Sequence, residues 1–169
     1  MSEFGLITDI ENYRAELESI CGESTPFFME VEGRPPVSAF DDIYEAVPEL
    51  PKDKPAKCYA FLLDGEAAGY TWILEDDEED LYYILEFTVA ERFRRKKVGT
   101  LALKALDELY KKYTYSELLV SAKNFMGLNF WVRSGYTEIT AVFPPEEQNT
   151  VAVEMNLRRT IDKHTESNK

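Results

Sequence analysis

Residues 81–109, LYYILEFTVAERFRRKKVGTLALKALDEL, join a hydrophobic strand to an amphipathic helix through a cationic turn. The apolar and aromatic run from Leu81 to Val89 is the composition of a central strand. Apolar residues then recur at helical spacing, which predicts a helix over Val98–Lys112. A helix start leaves its first backbone N–H groups unpaired and so makes an anion site without any metal. Arg94, Arg95, Lys96 and Lys97 crowd that start, although the chain as a whole has a formal net charge of −13. Without an anion, basic charge near a helix start is unfavourable by roughly 0.3–1 kcal/mol. Gly99 lets a ligand or a neighbouring backbone approach closely, and Thr100 offers a hydroxyl in the same turn. A charged first turn beside an ordinary glycine is the plainer alternative.

Within the strand, alternation places Tyr83, Leu85, Phe87 and Val89 on one face and Tyr82, Ile84, Glu86 and Thr88 on the other. A charged residue among so many apolar neighbours is costly to bury unless it is paired or faces a cavity. Glu86 therefore marks an opening in the sheet, or else a solvent-facing or ion-paired glutamate.

A second segment lies further along: Asn124, Phe125, Met126, Gly127, Leu128, Asn129, Phe130, Trp131, Val132, Arg133, Ser134, Gly135 and Tyr136. Together the two segments resemble the acyl-coenzyme A dependent N-acetyltransferases of the GNAT superfamily. That family's pyrophosphate loop reads Arg or Gln, two variable residues, Gly, one variable residue, then Gly or Ala. Arg94 to Gly99 match it except at Lys97, which stands where the first glycine is usual and must avoid a backbone conformation that strongly requires glycine. The second segment keeps the family's spacing, with Gly127 in place of Ala and Trp131 in place of Tyr. The resemblance spans about residues 57–157.

The resemblance implies a central mixed, mostly antiparallel β-sheet flanked by helices, an α/β (α+β) fold, in one domain over residues 1–160 followed by a polar tail, 161–169. It implies acetyl-CoA as acyl donor and cosubstrate. Arg94, Arg95, Lys96, Lys97, Val98, Gly99 and Thr100 would wrap the pyrophosphate, and Phe87, Thr88, Val89, Asn124, Gly127, Phe130 and Trp131 would line the rest of the coenzyme site. It also implies Glu86 as the carboxylate that attracts the amine or removes its proton, and the Val89 N–H as the group polarising the thioester carbonyl. Phe27, Phe28, Glu86 and Tyr136 would border the acyl acceptor, with ordinary sheet packing the alternative for Tyr136. The tyrosine replaced by Trp131 is the family's proposed acid for the departing thiolate, and an indole N–H cannot supply that proton. A thiol of pKa near 8.5 can leave without strong acid assistance. Trp131 also suits the groove between helix and sheet as a core aromatic.

The resulting expectation is an acyl-CoA N-acyltransferase acting on an amine-bearing small molecule or peptide by direct attack in a ternary complex. A noncatalytic acyl-CoA sensor or protein-interaction domain is the alternative; a nucleotide-binding protein is weaker, since the P-loop pattern is absent. Cys21 and Cys58 have no catalytic histidine nearby in sequence, and His164 stands alone in the polar tail, so a covalent cysteine route is not expected. No metal-ligand spacing and no apolar run long enough to span a membrane occur, which favours a cytoplasmic protein. The acidic total argues against nucleic acid as a partner; a homodimer stays open. The 169 residues suit a single domain.

The coarse map places a strand at Leu6–Thr8, a helix at Asp9–Cys21 capped by Asp9, and a short helix at Phe40–Ala46. Strands at Lys57–Leu63 and Ala67–Leu74 form a hairpin around Asp64 and Gly65. Further strands are expected at Glu117–Ser121, Tyr136–Phe143 and Thr150–Leu157, around a helix at Met126–Ser134. The acidic run Glu75 to Asp80 reads as a solvated turn.

Overall fold

The computed structural model describes residues 2–148 and 150–162. Seven strands form one sheet in the order β1-β2-β3-β4-β5-β7-β6: β1 Phe4–Ile7, β2 Ala56–Leu63, β3 Glu66–Asp76, β4 Leu81–Val89, β5 Tyr115–Ser121, β6 Glu138–Phe143 and β7 Glu154–Thr160. Every neighbouring pair is antiparallel except β4 and β5. A parallel pair needs a crossover, and helix α3, Val98–Leu109, supplies it. Val98, Ala102, Leu103 and Leu106 recur on one buried face of α3, each large side chain worth about 1.5–3 kcal/mol when fully covered. The other helices are α1 Arg14–Val31, α2 Ile43–Ala46, α4 Phe125–Arg133 and the single turn α5 Pro145–Gln148.

The hairpin forms as expected, with Asp64 and Gly65 both at positive φ (52° and 81°) and Leu63 facing Glu66. The N-terminal helix differs. A 3-10 turn at Glu11–Tyr13 precedes α1, whose start has no side-chain cap; Asp9 instead accepts from the side chain of Asn12 at 3.2 Å. Helix α1 then runs on past Cys21 and contains Pro26. It tolerates that proline because Pro26 and Gly22, the residue whose carbonyl loses its N–H partner, both lie away from the buried face, where water replaces the bond. Phe27 and Phe28 are therefore helical, with rings edge to face at 5.9 Å.

Strand β4 also departs from simple alternation. Trp72 pairs with Glu86 but Ile73 pairs with Ile84, so Leu85 is the extra residue of a β-bulge. Beyond the bulge the two faces of the strand are exchanged. Tyr82 stacks on Tyr110 at 5.0 Å and Ile84 packs with Leu103 and Leu106 on the α3 side, whereas Glu86 reaches the backbone of Val37 beyond α1. Tyr82, Ile84 and Glu86 thus do not share a face. The acidic run is likewise more than a solvated turn: β3 extends to Asp76, which pairs with Lys54 at 2.5 Å. Asp77 accepts from Tyr113, and Asp80 at φ 55° accepts from Thr114. Arg158 to Thr160 belong to β7, while His164 lies outside the described residues.

Candidate active site

The parallel pairing of β4 and β5 stops at Ile84–Leu118. Past that point β4 stays on β3 and β5 stays on β7, so the two halves of the sheet part and leave a gap. Ala90 N–H donates to Ala68 O at 2.8 Å, which makes Val89–Gly69 a pair that exchanges no hydrogen bonds. The Val89 N–H therefore points away from β3, into the gap. Gly69 is required at this register, because a Cβ there would collide with the carbonyl of Thr88.

A cleft of about 430 Å³ opens on the gap, walled by Ser24, Phe27 and Phe28 of α1, by Phe87, Thr88 and Val89 of β4, and by the starts of α3 and α4. Helix α3 opens onto it without a side-chain cap and without a carboxylate in its first turn. Leu101 makes the first backbone bond back, to Lys97 O at 3.0 Å, so the N–H groups of Val98, Gly99 and Thr100 precede the helical ladder. Arg94, Arg95 and Lys97 line the cleft; Lys96 turns aside, its Nζ lying 5.4 Å from the centre of the Phe93 ring.

Lys97 does not avoid the glycine-like conformation. It adopts φ 63°, ψ 17° as the residue before α3, and Arg95 stands at φ 65°. A non-glycine residue in this region costs about 1–2 kcal/mol, and the arrangement turns successive N–H groups toward one side. Gly99 packs closely against α4, since a Cβ there would lie 2.9 Å from Cζ of Phe130 and that ring would have to shift.

Helix α4 forms the facing wall. Asn124 caps it, its Oδ1 accepting from Gly127 N at 2.8 Å. A Cβ on residue 127 would lie 2.5 Å from Asn124 Nδ2, so an alanine there would require the Asn124 side chain to shift. Trp131, 8% exposed, packs edge to face on Phe87 at 5.1 Å, Phe130 at 4.9 Å and Tyr136 at 5.4 Å, and it lines the cleft as well as the core. Tyr136 does not reach the site. It is fully buried and bonded to Ser116 at 2.7 Å and Arg159 at 3.3 Å.

A smaller space of about 60 Å³ adjoins the first, bordered by Glu32, Arg34, Glu86 and the diverging ends of β4 and β5. The Glu86 side chain is 1% exposed. Its Oε2 accepts from Val37 N at 3.2 Å and from Arg34 at 3.5 Å. Burial outweighs the nearby Arg34 guanidinium and pushes the carboxyl up to about 7. Burial raises Glu32 and Glu154 too, against the lowering pull of the same arginine. Thr88 Oγ1 is buried with no hydrogen-bond partner, a deficit of order 1–3 kcal/mol in an otherwise satisfied interior. Burial pushes Cys21 up and Cys58 to about 12, so both thiols stay protonated at neutral pH and make poor nucleophiles. Ser24, Glu32, Arg34 and Val37 carry no signal in the sequence, because they belong to no motif and meet β4 only through the fold.

The sequence model described as "Acetyltransferase (GNAT) family" matches residues 17–136. The chain belongs to the GNAT acetyltransferase family. No curated protein matches it. Among solved structures, the Salmonella typhimurium acetyltransferase that modifies the N-terminal serine of ribosomal protein L7/L12 aligns with a TM-score of 0.74 at 16% identity, covering 94% of this chain and 95% of that one. A Bacillus subtilis acetyltransferase in complex with CoA gives 0.65 at 16%, covering 96% and 100%. The Escherichia coli ribosomal-protein-S18-alanine N-acetyltransferase gives 0.64 at 12%, covering 100% and 99%. At such identities the likeness is one of fold. Among the described residues no helix is long and apolar enough to cross a membrane, and no group of side chains is arranged to hold a metal ion.

Proposed function

We propose that this GNAT protein transfers an acetyl group from acetyl-CoA to a primary amine of a small molecule or peptide, by direct attack in a ternary complex. The observation that carries this reading is the meeting, in one cleft, of an uncapped cationic helix start with the unengaged Val89 N–H, beside the smaller adjoining space that Glu86 lines. Those exposed N–H groups and cations suit a pyrophosphate. When bound, acetyl-CoA supplies the activated thioester. Val98, Gly99 and Thr100 N–H, with Arg94, Arg95 and Lys97, hold the anionic end. Phe87, Phe130 and Trp131 exclude water along the cleft.

The Val89 N–H donates to the carbonyl oxygen as negative charge develops there. Glu86, directly or through one water, takes the proton of the amine; a carboxyl near 7 both captures and releases a proton at neutral pH. Trp131 shapes the wall and gives no proton, and the thiolate leaves unaided. Peptide amino termini belong on the acceptor panel, because two of the similar structures act on ribosomal proteins.

Calorimetry with acetyl-CoA tests the first half of this reading. Saturable binding is expected, weakened about tenfold or more by Arg94→Glu with Lys97→Glu, the loss of a charge-assisted bond. A folded protein that binds no acetyl-CoA at millimolar concentration overturns it.

A further inference from the structure

Glu86 and Thr88 alternate on β4 beyond the bulge, so both face α1, and each carries an oxygen with no hydrogen-bond partner among the described residues. Both hydrogen bonds to Glu86 go to Oε2, which leaves Oε1 free. Thr88 Oγ1 is buried without a partner although the residue is only 5% exposed. The two residues line adjoining spaces that share Phe28, Phe87, Asn124 and Trp131 as common walls. Two strand residues apart, their Cα atoms are separated by about 6.5 Å. An ammonium making two hydrogen bonds of about 2.9 Å at its tetrahedral angle spans oxygens about 5 Å apart, a little less than the separation of the two Cα atoms. Phe87, between them, points to the opposite face and packs against α4.

We propose that the Thr88 hydroxyl accepts one N–H of the attacking amine while Glu86 faces the other side, so that Thr88 belongs to the acceptor site and not to the coenzyme site. This rests on the transferase reading. In the step it serves, the amine lone pair forms the new N–C bond, the C–S bond breaks and its electron pair leaves with sulfur. The ammonium proton passes to Glu86 or its water. Thr88 exchanges no proton; it aims the lone pair at the carbonyl carbon.

Thr88→Val keeps the side-chain shape and removes the oxygen, and Thr88→Ser keeps the oxygen. Release of coenzyme A is followed with acetyl-CoA and a panel of 1-aminobutane, 1,4-diaminobutane and short peptides with free amino termini. The expected result for Thr88→Val is an amine KM raised about tenfold, the loss of one hydrogen bond to a charged group. Its KM for acetyl-CoA should be unchanged and its Tm equal or higher, since the unpartnered buried hydroxyl is gone, and Thr88→Ser should restore the amine KM. An unchanged amine KM, or a rise confined to acetyl-CoA, overturns the assignment while leaving the transferase reading standing. Wild-type protein that binds acetyl-CoA but acetylates no amine of the panel removes both.

Discussion

Glu86 holds stability and function in opposition. Burial raises its carboxyl from 4.5 to about 7, so the folded state binds that proton more tightly than the unfolded chain. The protonated group is at its most favourable below about pH 4.5, and the advantage is lost as pH rises through about 7. Glutamine can still accept from Val37 N and carries no charge to bury. Glu86→Gln should therefore gain stability relative to wild type between about pH 4.5 and 7, level off above, and have gained on the order of 3 kcal/mol by about pH 8. Urea unfolding at intervals across that range measures the difference. A gap that stays constant throughout would show that the carboxyl is not raised. The same variant should lose acetyl transfer most where the amine is protonated, and recover as higher pH supplies free amine.

At the scale of elements, the α3 start and α4 are fitted to one another through Gly99. A methyl group there meets the Phe130 ring at 2.9 Å, so Gly99→Ala should push α4 outward. The expected cost is about 1–3 kcal/mol of stability, with weaker acetyl-CoA binding although no charge has changed; thermal unfolding and calorimetry on one preparation check both. Paired substitution with Phe130→Leu should return much of the loss. Elements with local signals were legible in the sequence. Asp64 and Gly65 announce their turn, apolar periodicity announces α3, and the run Arg94 to Lys97 announces its cationic start. The bulge at Leu85 was not legible, because neither glycine nor proline marks it, and it reassigns every face before it. The extent of α1 was not legible either: the sequence pattern ended the helix at Cys21, whereas it runs to Val31 through the exposed Pro26. Arg34 meets Glu86 across 52 residues of sequence, a distance no local pattern spans, and Tyr136 was placed at the site by its neighbours in sequence although its hydroxyl is committed to Ser116 and Arg159.

Over the whole molecule, charge is divided by use. The surplus of carboxylates belongs to a chain of net −13, a field that draws in cations, while the cations at the α3 start reserve one place for an anion. The sheet is divided as well. β1 to β4 form one antiparallel body, β5, β7 and β6 another, and only four residue pairs, Leu81–Tyr115 to Ile84–Leu118, stitch them together. Such a seam is where a cooperative fold opens first. Amide hydrogen exchange should accordingly be fast at Phe87 and Val89, whose N–H groups look across the gap, and slow in β3 and in residues 60–63 of β2, whose edges are paired on both sides. Acetyl-CoA should slow the β4 amides and, through α3, the first turn beyond Lys97; equal protection of both edges of β4 in the free protein would contradict it. A binding cleft made this way is a hinge line left unsewn, and its occupant completes the cloth.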